Sequence, residues 1–145
     1  MLIKKAKIIF KNTKVNLNKE KLLETFRLCG YKVDNIDHII KNSHKILVAY
    51  NNEEIIGFLT TLSNGRNFVY YDLLGVKKEY RRMGIGSKLI AFMSRHYKNI
   101  PFHYITSKKD MLKFFKKFGF EIAIPLTNKN IKNMEYIPLI KIVEN

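Results

Sequence analysis

Apolar residues run along this chain in two rhythms, and each rhythm predicts a kind of element. Ile46-Leu47-Val48-Ala49-Tyr50, Ile55 to Leu62 and Phe68 to Val76 are nearly continuous apolar runs rich in β-branched and aromatic residues. All three read as strands, and Phe68 to Val76 fits a central strand buried on both faces. Asn51-Asn52-Glu53-Glu54 supplies turn chemistry between the first two runs, which makes them a hairpin, and Ser63-Asn64-Gly65-Arg66-Asn67 turns the chain into the third. Lys7 to Phe10, Phe102 to Thr106, Phe120 to Ile124 and Glu135 to Val143 read as further strands, the last two separated by a polar turn around Asn128 to Asn133.

The second rhythm is helical. Leu22, Leu23, Phe26 and Leu28 recur after Asn18-Lys19-Glu20-Lys21, so Asn18 is read as the cap of an amphipathic helix that Gly30 stops. Asp34 or Asn35 caps a shorter helix carrying Ile36, Ile39 and Ile40, broken by Asn42-Ser43. Ile85, Leu89, Ile90, Phe92 and Met93 predict a helix over 84–97, and Asp110 to Phe118 predicts another, stopped by Gly119. The order is strand, two helices, three strands, helix, strand, helix, two strands, which implies a mixed α/β fold with a largely antiparallel sheet. No internal repeat or low-complexity linker interrupts it.

Length and composition then bound the possibilities. With 145 residues, 46% of them hydrophobic, residues 1–145 read as a single domain able to bury a core. Lys and Arg number 27 against 12 Asp and Glu, a formal charge of +15. Such a field draws nucleic acid, anionic lipid and cofactor phosphates alike, so it selects no partner by itself. Nucleic acid is disfavoured, because no helix-turn-helix, zinc-ligand spacing or RNA-binding aromatic motif accompanies the charge. The one cysteine, Cys29, suits a reducing compartment and a structural place on a helix. Lysines interrupt the first ten residues too often for a signal peptide, and no run reaches the roughly 18 apolar residues of a membrane span, so a soluble cytoplasmic protein without a membrane partner is expected. His38, His44, His96 and His103 are scattered without a metal-site spacing, and no metal is expected.

One stretch carries chemistry: Asp72-Leu73-Leu74-Gly75-Val76-Lys77-Lys78-Glu79-Tyr80-Arg81-Arg82-Met83-Gly84-Ile85-Gly86-Ser87-Lys88-Leu89. A buried strand, a basic loop and a glycine-bearing helix start follow one another directly. A helix N-terminus leaves backbone N–H groups unpaired and carries partial positive charge, so it binds phosphate without any particular side chain. Gly84 and Gly86 let the backbone approach an anion, and Arg81, Arg82 and Lys88 add charge. Alone, the two glycines fit a tight strand-to-helix turn equally well.

The wider pattern resembles the GNAT superfamily of N-acetyltransferases. Arg81-Arg82-Met83-Gly84-Ile85-Gly86 is similar to that family's Arg/Gln-x-x-Gly-x-Gly/Ala motif, and the strand ending Leu74-Gly75-Val76 precedes it at the usual spacing. Phe114-Phe115-Lys116-Lys117-Phe118-Gly119-Phe120 resembles its Phe-Tyr-x-x-x-Gly-Phe segment, and Ile55-Ile56-Gly57-Phe58 resembles its apolar-Val-Gly-Phe hairpin strand. A narrower similarity of Leu28 to Gly65 points to the subgroup with serotonin acetyltransferase-like and uncharacterised bacterial acetyltransferases.

The resemblance implies a central, mostly antiparallel twisted sheet splayed between its fourth and fifth strands and flanked by about four helices. It implies acetyl-CoA as co-substrate, with Leu74, Gly75 and Val76 offering backbone groups to the pantetheine and thioester, and the amides from Arg81 through Ser87 (Arg81, Arg82, Met83, Gly84, Ile85, Gly86, Ser87) cradling the pyrophosphate. Direct attack by a primary amine then requires a group to take its proton, commonly a carboxylate through water. Asp72 is the acid on the central strand, and Tyr70, two residues earlier, shares its face if the strand is regular. These are the catalytic candidates, against the plainer readings of an ion-paired carboxylate and a packed tyrosine.

Two positions depart from the family pattern. Phe115 stands where a tyrosine often protonates the departing thiolate, leaving water, Ser107 or Tyr104 as substitutes, and Lys108 replaces a frequent asparagine. The acceptor is expected to be a small-molecule amine, with a protein amine and a homodimer also open. A CoA-binding module with little catalysis, or a basic nucleic-acid-binding domain, is the alternative.

Overall fold

The computed structural model describes residues 7–123 and 128–144. Strands β1 (Ile8–Asn12), β2 (Lys45–Asn51), β3 (Glu54–Ser63), β4 (Phe68–Val76), β5 (Phe102–Lys108), β6 (Glu121–Ile122) and β7 (Tyr136–Ile142) form a seven-stranded sheet in the order β1-β2-β3-β4-β5-β7-β6. β4 and β5 run parallel and the other neighbours antiparallel. Helices α1 (Lys19–Leu28), α2 (Ile36–Asn42), α3 (Ile85–His96), α4 (Leu112–Lys116) and α5 (Asn128–Asn133) complete it.

Alternation along β2 shows why the sheet is covered twice. Ile46 and Val48 pack with Leu22 and Phe26 of α1 and with Phe58, while Leu47 and Ala49, pointing the other way, pack with Leu89, Ile90 and Met93 of α3. Leu22, Phe26 and Leu89 are fully buried, each removal from water contributing about 1.5–3 kcal/mol. Phe26 meets Phe58 edge to face at 4.6 Å, which fixes α1 across β3. The Asn18 side chain accepts from the Lys21 N–H at 3.1 Å as expected, and Asn35 rather than Asp34 caps α2, accepting from His38 N–H at 3.0 Å.

The splay between β4 and β5 has a local cause. Phe68 to Tyr71 pair with Phe102 to Ile105, and there the ladder ends although both strands continue. On the other side of β4, Leu59 faces Leu74 and Thr61 faces Tyr71, so three steps on β4 match two on β3. The extra residue is a bulge at Asp72-Leu73, where the Leu73 N–H donates to Thr60 Oγ1 at 3.1 Å. Bulges bend a strand and raise its twist, which swings the end of β4 away from β5 and leaves an open edge.

Two expectations give way. Asn128 to Asn133 forms α5 rather than a turn, because Ile131 packs against the α3-side core and this tertiary contact outweighs the asparagines' turn preference. The helix expected over 110–118 is shorter: Lys109–Met111 is a 3₁₀ turn, α4 spans Leu112–Lys116, and Phe120 N–H returns to Phe115 C=O across Gly119 at φ +90. The predicted strand from Phe120 reduces to β6, and its last residue, Ile124, lies outside the described residues.

Behind β4, the fully buried His103 donates from Nε2 to Ile100 C=O at 2.9 Å, which leaves Nδ1 to accept from Tyr71 Oη at 2.9 Å, a tautomer that stays neutral. Burial lowers the pKa of His103, and likewise of His44 and His96. A histidine depressed in the folded state contributes stability that is complete above its unfolded pKa and lost as pH falls through the folded value. Burial raises the Asp72 carboxyl, which works in the opposite direction for one group. Thermal unfolding is therefore expected to move to lower temperature between about pH 7 and pH 5; His103→Gln should flatten this dependence, and an unchanged slope would remove His103 as its source.

Candidate functional site

The open edge of β4 and the start of α3 form one continuous surface. Leu74 and Val76 turn backbone groups away from β3, and side chains meet them. The Tyr31 hydroxyl, from the loop after α1, donates to Leu74 C=O at 3.0 Å and accepts from Leu74 N–H at 3.2 Å, while Arg81 Nε donates to Val76 C=O at 3.1 Å. Gly75 lies against the end of α1: a Cβ there would come within 2.7 Å of Phe58 Cζ and 2.8 Å of Cys29 Cβ and Sγ. Gly75→Ala should therefore destabilise by about 1–3 kcal/mol, seen as a lower denaturant midpoint at unchanged slope; a neutral result would mean that α1 moves freely at this point.

The loop from Lys77 is pinned to the β2–β3 hairpin. Lys77 N–H donates to Ile56 C=O at 2.8 Å, and Lys77 Nζ reaches Glu54 Oε2 at 3.3 Å. The buried Tyr80 hydroxyl donates to Glu54 Oε1 at 3.0 Å and accepts from Asn51 Nδ2 at 2.9 Å. Arg82 and Gly84 then take left-handed backbone, φ 65 and 78, and this reversal aims the first turn of α3 outward. Gly84 is the N-cap and provides no side-chain cap, so the amides of Ile85, Gly86 and Ser87 keep their donors for an anion. Arg81, Arg82, Met83 and Gly84 are exposed, Ile85 is buried in the core as an anchor, and Gly86 and Ser87 are half-buried. Gly86 faces the Phe114 ring and Val76 at ordinary contact distances, so packing alone does not require glycine there.

Asp72 sits at the bulge, so a face shared with Tyr70 no longer follows from their spacing. Its carboxyl is half-buried, forms no ion pair among the described residues, and is pushed above its ordinary pKa by burial. The lysine or arginine partner of the plainer reading is thus not present among those residues. Tyr70 Oη lies 3.0 Å from Thr106 Oγ1 on β5, bridging the two strands just before they part. Burial raises the Tyr31 phenol, the Leu74 backbone bond opposes this, and the charges of Cys29, Asp72 and Tyr136 raise it further. Tyr31 carried no motif, and only the chain's return in three dimensions brings it to Leu74.

Phe115 is buried in the core against Phe120, and Phe114 is the ring beside Gly86. Of the groups considered as substitutes for an acid, the Ser107 hydroxyl is buried and donates to Lys108 C=O at 2.7 Å, while Tyr104 is half-buried and registered beside Tyr70.

Comparison with known proteins agrees with this geometry. The sequence model of the acetyltransferase (GNAT) domain matches residues 42–122, more than half of the chain. Comparison with curated proteins finds no match. Among solved structures, a GNAT family acetyltransferase from Elizabethkingia anophelis with acetyl-CoA bound superimposes with a TM-score of 0.73 at 18% identity, covering 96% of this chain and 99% of that one. The ribosomal-protein-S18-alanine N-acetyltransferase of Escherichia coli gives 0.76 at 10% identity, covering 95% of each chain. Arabidopsis thaliana Naa50, in complex with the bisubstrate analogue CoA-Ac-MVNAL, gives 0.69 at 24% identity over 92% of this chain and 97% of that one. With the domain match spanning the hairpin, the open strand edge and the glycine-led helix, the chain belongs to the GNAT acetyltransferase family.

Proposed function

We propose that the protein transfers the acetyl group of acetyl-CoA to a primary amine by direct attack. The observation that carries this reading is the placement of an uncapped, glycine-led helix start at the end of a strand edge freed by the bulge. Amides from Arg81 through Ser87 hold the pyrophosphate, and the β4 edge at Leu74 to Val76 receives the pantetheine and polarises the thioester carbonyl. Asp72, half-buried and without a cationic partner among the described residues, draws the proton from the incoming ammonium, directly or through water, and Tyr70 shapes the cleft near it. The thiolate leaves without a dedicated acid, which a thiol pKa near 8.5 allows.

The acceptor favoured is a small or weakly charged amine, since a protein of formal charge +15 repels a polycation at long range. A protein N-terminus is the second class, supported by the peptide portion of the analogue held by the Arabidopsis relative. The buried Phe115 favours a second reading, a CoA-binding module with little turnover. Free-thiol release from acetyl-CoA across a panel of small amines and short peptides decides between them. Amine-dependent release is expected; saturable acetyl-CoA binding with no release above hydrolysis would leave the module, and no binding at all would overturn both readings.

A further inference from the structure

The backbone groups assigned to the thioester are already engaged by a side chain of the protein. Tyr31 is held at this place from two sides: its ring packs on Phe58 with centroids 6.0 Å apart, and its hydroxyl makes two bonds to one residue, accepting from Leu74 N–H and donating to Leu74 C=O. Leu74 lies immediately after the bulge, on the edge that β5 has left. A single N–H donor serves one good acceptor at a time, so the phenol oxygen and an acyl carbonyl compete for it.

We propose that Tyr31 is a specificity-determining residue that occupies the acyl-carbonyl position on Leu74, so that only a ligand carrying a carbonyl acceptor at that point, an acyl thioester, displaces it. This rests on the assignment of the β4 edge to acetyl-CoA. The exchange is uneven. The thioester makes the same bond to Leu74 N–H with or without the phenol, but in the wild type the phenol first gives up two hydrogen bonds, so wild-type affinity for the acyl thioester is lowered by the worth of those two bonds relative to a protein without the hydroxyl. A ligand confined to the phosphate end of the site leaves Tyr31 in place and carries no such penalty. The loop that holds Tyr31 runs directly from the end of α1, where Cys29 N–H donates to Thr25 and Phe26 C=O and Tyr31 N–H donates to Phe26 C=O, so its backbone is tied to the last turn of the helix and not to the sheet ladder. Displacement of the phenol therefore needs movement of one side chain and a short loop, while the sheet stays as it is.

The test compares wild type with Tyr31→Phe, which keeps the ring on Phe58 and removes only the hydroxyl. Acetyl-CoA and adenosine 3′,5′-bisphosphate, which reaches the phosphate cradle alone, are titrated into each protein, and exchange of the Leu74 amide is followed without ligand. Tyr31→Phe is expected to bind acetyl-CoA roughly five- to a hundredfold more tightly, the range of two hydrogen bonds, with adenosine bisphosphate affinity unchanged and Leu74 exchange accelerated. A residue with a purely structural role would not tighten binding when truncated. Equal acetyl-CoA affinity in the two proteins, or an equal gain for both ligands, would overturn the role of Tyr31 while leaving the acetyl-CoA site standing. Binding of neither ligand to either protein would overturn the acetyl-CoA assignment itself and the role of Tyr31 with it, and unchanged Leu74 exchange would show that the phenol does not hold that amide.

Discussion

Asp72→Asn is expected to lower amine-dependent thiol release by about 10²–10⁴-fold, the range of general-base catalysis, while acetyl-CoA affinity stays essentially unchanged. The substitution preserves shape at the bulge and removes only the capacity to take a proton. Burial holds the Asp72 carboxyl above its ordinary pKa, and among the described residues no cation is paired with it to pull it back. A base whose pKa is raised toward the working pH combines a useful ionised fraction with real proton affinity. The pH profile gives the sharper reading. The wild-type rate should fall on the acid side with a midpoint above the usual carboxylate range, and the Asn variant should lose that limb. A variant that keeps both the rate and the acid limb would move the base to another group, and an affinity loss equal to the rate loss would make Asp72 a binding residue instead.

The sequence made the larger elements legible because each has a strong local cause. β4 runs from Phe68 to Val76 as its apolar run predicts, Asn18 caps α1, and Gly84 begins α3, since a run of β-formers, side-chain capping and left-handed backbone are short-range effects. The bulge at Asp72-Leu73 could not be read in advance. It depends on Thr60 across the sheet offering a hydroxyl to the Leu73 N–H, a pairing with no trace in the sequence around Asp72 itself. The same limit hid Tyr31, which meets Leu74 across 43 positions, and α5, whose asparagines signal a turn until Ile131 finds the core. What the local pattern revealed was the glycine-led start of α3, proposed as the phosphate cradle; what it concealed was the company its strand edge keeps.

Introducing a carboxylate into that cradle should have the largest effect on binding. Gly86→Glu places a negative group beside Val76 and the first turn of α3, where the amides and Arg81 and Arg82 are proposed to meet the pyrophosphate. Two unit charges about 4 Å apart near a protein surface repel by about 4 kcal/mol, which corresponds to roughly a thousandfold loss of acetyl-CoA affinity. Charge and bulk are separable at this position. The added methyl of Gly86→Ala meets Phe114 and Val76 at 3.7 and 3.9 Å, ordinary contact, so that variant should stay folded and bind far better than Gly86→Glu. At Gly84 the two effects cannot be parted, because φ +78 strains any other residue and the fold itself is taxed. Calorimetric titration of acetyl-CoA into wild type, Gly86→Ala and Gly86→Glu, repeated at two salt concentrations, tests the point. Loss confined to the glutamate variant, and a wild-type affinity that weakens with salt, would follow from phosphate held by amides and guanidinium groups. Equal binding by all three proteins would place the pyrophosphate elsewhere and leave Gly86 as no more than a tight strand-to-helix turn.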